Sequence, residues 1–279
     1  MSIGQFCVVM LTATHSTGNR ESMIYSVDNR IATITLDRPD QLNTFREQDY
    51  ATLENLLQRF IDDDAAAVLI LTATGKAFSA GQDLNELTGD KAFDTTHQAT
   101  QLARLQNLTR LLAGTNKPTI TALNGFAVGV GLELALASDF RLATSNAYFM
   151  FAEAQRGLFQ TNGVLYFLPR LIGLARAKEM LLTGDKYSAD YALSAGLIHR
   201  ISADDALLAD ARALAERLRD NSPLSIQLIQ HALAATYDTS LEEMLELEVA
   251  GNLEVFASTD FIEGVQSFLQ KRDPAYSKG

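Results

Sequence analysis

The sequence has little of the chemistry on which disulfide and metal proteins depend. Among 279 residues it has one cysteine, Cys7, and its four histidines show no close ligand spacing. A single cysteine cannot close an intramolecular disulfide or complete a cysteine-rich metal cluster. We therefore expect no metal and no redox cofactor, and a reducing, cytoplasmic location.

Positive charge and long apolar runs are also scarce. The chain carries 23 lysines and arginines against 34 acidic residues, which gives a net charge of −11. This composition does not supply the basic surface that binds phosphate backbones. No apolar run approaches the roughly 18 residues that indicate a membrane span. We expect neither nucleic acid nor a membrane as a partner.

The N-terminus lacks charge altogether, because residues 1–19 contain no Asp, Glu, Lys or Arg. A signal peptide combines a basic start with a longer apolar segment than Phe6 to Leu11. We interpret residues 1–22 as an N-terminal extension outside the folded core.

Short apolar segments alternate with helical patterns through the rest of the chain. Residues 67–72 (AVLILT) and 119–123 (TITAL) are typical of buried parallel strands. Helical spacing follows the first of them over residues 96–113 and the second over residues 131–137. Asn43 or Thr44 is suited to cap an earlier helix that ends near Asp62. The alternation predicts an α/β fold.

The pattern becomes mostly helical from Ala175 onward. We divide the chain into the extension, an α/β core over residues 23–203 and a C-terminal helical region over residues 204–279. No fixed-period repeat or low-complexity linker separates them.

Two isolated glutamates are the strongest candidates for chemistry. Glu133 is the only ionisable residue between Pro118 and Ala137, and it follows Gly125, Gly129 and Gly131. A glycine-lined turn into a helix exposes backbone N–H groups that can hold an oxyanion. The alternative is that Glu133 occupies a first helical turn because the helix dipole favours an anion there.

Glu153 is likewise the only charge in the stretch from Leu142 to Gln155. If both glutamates line one pocket, desolvation and repulsion raise one pKa, so that one group acts as acid and the other as base. The alternative is two unrelated glutamates at the surface or in salt bridges. A nucleophilic triad of Ser79, His97 and Asp83 is disfavoured, since no GxSxG elbow surrounds Ser79.

Several ordered motifs resemble the enoyl-CoA hydratase/isomerase, or crotonase, superfamily. The resemblance runs from about Ile24 to Arg272 and rests on these segments: IATITLDRPDQLNTF (31–45), LTATGKAFSAGQDLNEL (71–87), PTITALNGFAVGVGLELALASDFRLAT (118–144), FAEAQRGL (151–158), LPRLIG (168–173), LLTGDKYSADYALSAGLIHRI (181–201) and SPLSIQLIQHAL (222–233). It implies a spiral of ββα units, and a C-terminal helical region through which the chains form homotrimers or hexamers that are dimers of trimers. The implied substrate is an acyl-CoA thioester, so that coenzyme A enters as part of the substrate.

The resemblance also assigns roles to single positions. The two backbone N–H donors of the oxyanion hole fall on Gln82 and Val130, and the two catalytic glutamates on Glu133 and Glu153. The stretches that line the CoA cleft contain Gln41, Leu42, Ala80, Asp83 and Leu84.

One segment departs from the pattern of many hydratases. Where they have a small glycine-rich turn beside the acyl pocket, this chain has Phe159, Gln160, Thr161 and Asn162. These larger, polar side chains predict an acyl group other than plain crotonyl, unless they point away from the cavity.

The glutamate pair predicts an enoyl-CoA hydratase that adds water across the 2,3 double bond. A crotonase-family isomerase, or another acyl-CoA lyase or hydrolase, is the alternative within the family. A non-catalytic RNA-binding homologue is an alternative of another class, which the net charge disfavours.

Overall fold

The computed structural model describes residues 22–88 and 93–276. The strands are β1 Met23–Asp28, β2 Ile31–Leu36, β3 Val68–Ala73, β4 Ala77–Ser79, β5 Thr119–Leu123, β6 Phe126–Val128, β7 Phe140–Thr144, β8 Tyr148–Met150, β9 Tyr187–Ser188 and β10 Arg200–Ser202. The helices are α1 Glu47–Asp62, α2 Thr95–Gly114, α3 Val130–Leu136, α4 Val164–Ile172, α5 Leu174–Thr183, α6 Ala189–Ala195, α7 Leu207–Arg219, α8 Pro223–Ala235, α9 Leu241–Phe256 and α10 Thr259–Gln270.

The larger sheet has six strands in the order β1-β2-β3-β5-β7-β10. The first pair is an antiparallel hairpin, whose turn residues Asn29 and Arg30 have φ angles of 50° and 63°. This left-handed turn matches the twist of the strands. The other neighbours pair in parallel. Every residue of β3 and β5 is buried, as expected for parallel strands covered on both faces.

The smaller sheet has four strands in the order β4-β6-β8-β9. Three of them directly follow a strand of the larger sheet and precede a helix, which gives the units β3-β4-α2, β5-β6-α3 and β7-β8-α4. The chain therefore winds as a spiral of ββα units, which confirms the predicted fold class. The spiral brings the turns after β4 and β6 side by side.

Helices cover both faces of the larger sheet. On one side α1 contributes Tyr50, Leu53 and Leu57 to the main core. On the other side α7 buries Leu207, Ala211 and Ala215 against the strands. The predicted division of the chain at residue 204 stays a prediction, although α7 packs as part of the α/β core.

The last three helices carry apolar side chains that the described residues of the chain leave uncovered. Helices α8 and α9 have no buried residue, and Leu233 and Leu253 are 65% and 63% exposed. In α10, Phe268 is 83% exposed. Such contiguous apolar faces are typical of surfaces that a partner covers.

The predicted helix cap at Asn43 or Thr44 is wrong. Helix α1 starts at Glu47, and Asn43 has a φ of 52° in the preceding turn. Its amide is used for tertiary contacts instead, because Oδ1 accepts from the Arg38 N–H at 2.8 Å and Nδ2 donates to the carbonyls of Thr74 and Ala77 at 2.9 Å each. Residues 1–21 of the predicted extension lie outside the described residues.

Candidate active site

The two isolated glutamates face one cleft of about 480 Å³. Glu133 lies in the first turn of α3, and Glu153 follows β8 in the chain. Between them stands Gly129, with a φ of 50°, where an added Cβ would lie 2.8 Å from Oε1 of Glu153. Glycine at this position therefore turns the chain into α3 and also leaves room for the second carboxyl group.

The two predicted oxyanion donors also lie in this cleft. Gly81 has a φ of 93°, and a Cβ there would stand 2.9 Å from the Val128 carbonyl, so the turns that carry Gln82 and Val130 touch each other. Phe45 and Gln82 form an isolated parallel β-bridge. Its two hydrogen bonds are donated by the N–H groups of Phe45 and Asp83, so the N–H group of Gln82 is not used in the bridge. Val130 is the first residue of α3, where an N–H has no partner within its own helix.

Glu133 is completely buried. Burial raises its pKa to about 8, with a further contribution from the charge of Glu153. Two hydrogen bonds act in the opposite direction, from the Thr161 backbone N–H and from Asn162 Nδ2, the latter at 2.8 Å from Oε2. Oε1 has no hydrogen-bond partner among the described residues. One carboxyl oxygen is thus held and the other is free.

Glu153 is half-buried, and burial raises its pKa. The Gln160 amide, whose Nε2 lies 3.3 Å from Oε2, and the charge of Arg156 lower it. Both glutamates are therefore held from the same turn, Glu133 by Asn162 and Glu153 by Gln160. At neutral pH burial and the neighbouring carboxyl group therefore favour the protonated form of Glu133.

The predicted acyl-pocket residues occupy three different environments. Gln160 and Thr161 line the cleft. Phe159 also borders it, but is 82% exposed at its mouth. Asn162 lies outside the cleft lining and is completely buried, in a left-handed conformation with a φ of 52°.

Only some of the residues predicted to line the CoA cleft border the cavity itself. Ala80 and Leu84 border the cavity. Leu42 lies next to it and accepts a hydrogen bond from the Ala80 N–H at 2.9 Å. Gln41 ends a short helical turn, and the Asp83 side chain caps another by accepting from the Asn85 N–H at 3.1 Å.

The alternative triad is not assembled. The Ser79 hydroxyl donates to the Asn43 carbonyl at 2.8 Å and accepts from the Gly81 N–H at 3.1 Å, so it supports the turn before Gln82. His97 Nε2 lies 2.6 Å from a carboxyl oxygen of Glu47. Ser79 and His97 therefore have other partners.

Helix α2 supplies one wall of the cleft with Gln98, Leu102 and Gln106, which sequence reasoning did not single out. Leu102 is 47% exposed. An apolar residue between Gln98 and Gln106 on this face of α2 is the sequence feature that could have indicated a cleft wall. Across residues 22–88 and 93–276, no three His, Cys, Asp or Glu side chains are grouped so that they could hold a metal ion. Within these ranges no helix combines the length and apolar character that crossing a membrane requires.

The ββα spiral, with a cleft between the turns that follow β4 and β6, defines an α/β protein of the crotonase class. A model of the enoyl-CoA hydratase/isomerase family matches residues 26–279. The chain belongs to the enoyl-CoA hydratase/isomerase family.

Similar proteins within the family differ in their named activities. The 1,2-epoxyphenylacetyl-CoA isomerase of Escherichia coli K12 is 35% identical over 92% of this chain and 98% of its own length. The carnitinyl-CoA dehydratase of Citrobacter koseri is 36% identical over the same shares. The crystal structure of an enoyl-CoA hydratase from Bacillus anthracis superposes with a TM-score of 0.88, at 30% identity, and covers 93% of this chain and 100% of that chain.

Proposed function

We propose that this protein is an enoyl-CoA hydratase that adds water to a 2-enoyl-CoA thioester. The observation that carries the proposal is the pair of glutamates in one cleft, one buried and one half-buried, where burial raises both pKa values. Two carboxyl groups with one proton between them provide an acid and a base at neutral pH. The CoA moiety extends along Gln41, Leu42, Ala80, Asp83 and Leu84.

The backbone N–H groups of Gln82 and Val130 bind the thioester oxygen. As water adds to carbon 3, negative charge moves onto this oxygen. Donors fixed by the backbone stabilise that charge without reorganising, which is the usual source of a large rate effect. Because the donors are main-chain groups, their side chains are free to differ among relatives.

The glutamates move the protons. The carboxylate takes one proton from the attacking water, whose oxygen bonds to carbon 3, and the carboxylic acid gives one proton to carbon 2. The sum is the addition of one water molecule, and the pair ends with the same number of protons. The named activity of the carnitinyl-CoA dehydratase relative supports this chemistry, because dehydration is hydration in reverse.

The epoxyphenylacetyl-CoA isomerase relative favours a second candidate, an isomerase of CoA thioesters. In that reaction one glutamate shuttles a proton between carbon atoms while the other is a bystander. A panel of 2-enoyl-CoA and 3-enoyl-CoA thioesters separates the two. Hydration consumes the conjugated double bond and yields a 3-hydroxyacyl product, whereas isomerisation only moves the double bond. Measurable binding of RNA at physiological salt without thioester turnover would favour the non-catalytic alternative.

We further propose that the protein assembles through α8, α9 and α10 into a homotrimer or a dimer of trimers. The exposed apolar faces of these helices support this, because the chain leaves them uncovered. A cytoplasmic location stays an expectation from the low cysteine content.

A further inference from the structure

Two oxygen atoms in the wall of the cleft are buried without a hydrogen-bond partner in the described part of the chain. They are Oε1 of Gln160 and Oγ1 of Thr161, on consecutive residues of the turn beside the glutamates. Buried polar atoms in native proteins are generally paired, so unpaired atoms in a binding cleft point to a ligand that pairs them.

The two residues are anchored in different ways, Gln160 through its side chain and Thr161 through its backbone. Gln160 Nε2 donates to Glu153 Oε2 at 3.3 Å, which leaves its oxygen as the free end of the amide. The Thr161 backbone N–H donates to Glu133, which fixes this residue against the catalytic pair. The Gln160 oxygen is therefore held in position before substrate enters, and the backbone of Thr161 is fixed beside it.

The chemistry of these atoms defines what they can bind. An amide oxygen only accepts hydrogen bonds, and a threonine hydroxyl can both accept and donate. A plain alkyl chain would leave both oxygens unpaired. Arg156 and Glu153 both line the cleft, so charged groups of both signs flank these atoms and no charged donor is favoured. A neutral hydroxyl group meets these conditions.

We propose that the preferred acyl group carries a hydroxyl group that donates to Gln160 Oε1 and accepts from the Thr161 hydroxyl. This inference rests on the proposed function, because it uses the same cleft and a thioester bound in it. Leu102 and Leu158, which also line the cleft, contact the carbon chain that leads to the hydroxyl.

The test compares matched pairs of trans-2-enoyl-CoA substrates, in which a terminal methyl replaces a terminal hydroxyl. The pairs are 4-hydroxybutenoyl with pentenoyl, 5-hydroxypentenoyl with hexenoyl, and 6-hydroxyhexenoyl with heptenoyl. We expect one hydroxylated member to exceed its alkyl partner in kcat/KM by about tenfold or more, the effect of one satisfied hydrogen bond. Alkyl partners that are equal or better in all three pairs would overturn the inference while the hydratase assignment stands. Failure to hydrate any thioester would instead overturn the proposed function.

Variants locate the discrimination. Thr161→Val removes the hydroxyl at nearly constant volume and keeps the backbone N–H, so the hydroxyl-to-alkyl ratio of kcat/KM should fall toward one. Thr161→Ser keeps a hydroxyl and should retain the ratio. Thr52→Val, on the exposed side of α1, is the matched control and should leave the ratio unchanged. A ratio that survives Thr161→Val would show that other groups bind the hydroxyl, and would overturn the assignment.

Discussion

Replacing Asn162 by glycine tests whether the turn that contains residues 159–162 lowers the pKa of Glu133. Asn162 Nδ2 donates to Glu133 Oε2 at 2.8 Å, and this bond favours the charged carboxylate. The backbone has a φ of 52° there, a conformation that glycine adopts without strain. Asn162→Gly therefore removes the amide without demanding a new backbone.

The magnitude follows from the strength of the lost bond. A hydrogen bond to a charged group contributes about 1.5–3 kcal/mol, and each pKa unit corresponds to about 1.4 kcal/mol. The pKa of Glu133, already raised to about 8 by burial, should therefore rise further, by roughly one to two units. The pH dependence of kcat/KM reports this group in the free enzyme. The active enzyme holds one proton on the pair of glutamates, so the alkaline limb of the profile reports the higher of their two pKa values. This limb should therefore shift upward, whichever glutamate carries the proton in the reaction.

The control is Asn29→Gly in the β1–β2 turn. Asn29 has a φ of 50° and is exposed, so the same substitution is made in the same backbone conformation away from the cleft. Its pH profile should superimpose on that of the unmodified protein. An Asn162→Gly profile that also superimposes, with circular dichroism unchanged, would refute the assignment of Asn162 as a positioning residue.

The remaining predictions address the acid–base pair, its cost to stability and the assembly. Glu133→Gln and Glu153→Gln should each lower kcat at least about a hundredfold, as loss of an acid or base does. An effect from only one would favour the isomerase, and none from either would contradict the site. The pKa of Glu133 is raised from 4.5 to about 8, so the unfolded chain releases this proton at lower pH than the folded protein, and its contribution to stability is lost as pH rises through that window. In thermal denaturation, the difference between the Tm of Glu133→Gln and the Tm of the unmodified protein should therefore change in favour of the variant as pH rises through this window. A difference that stays constant with pH would contradict this. Light scattering should give a multiple of three times 30.5 kDa, which a monomer at micromolar concentration would contradict. Deleting residues 1–21 should preserve assembly and activity, and loss of soluble protein would show that they belong to the fold.

The sequence predicted the elements whose burial is uniform. Strand β5 has the predicted bounds, because it is a continuous apolar segment between clear breaks. Strands β4 and β6 were missed. Each has three residues, too few for a period to be recognised, and pairing between them creates the smaller sheet.

The catalytic pair was predictable from the residues alone because each of its charges is isolated. Glu133 and Glu153 were found because each is the single charge of an apolar stretch, and the structure brings both to one cleft. The roles of Gln160 and Asn162 depend on backbone geometry. With a left-handed φ at residue 162, the Gln160 side chain lines the cleft, whereas the buried Asn162 side chain contacts Glu133 from outside the cleft lining. No local pattern encodes that choice.

Arg141 explains how so short a helix as α3 holds its end of the site in place. Its buried guanidinium donates to the Leu197 carbonyl at 2.7 Å, and to the carbonyls of Ala135 and Ser138 at 3.4 and 2.5 Å at the C-terminal end of α3. Burial lowers its pKa to about 10, so it stays charged at neutral pH. These bonds add donors to carbonyls at the C-terminal end of α3, and they tie α3 to the segment before β10. Because Glu133 lies in the first turn of α3, the Arg141 contacts at the C-terminal end of this helix help to fix the position of the Glu133 carboxyl group.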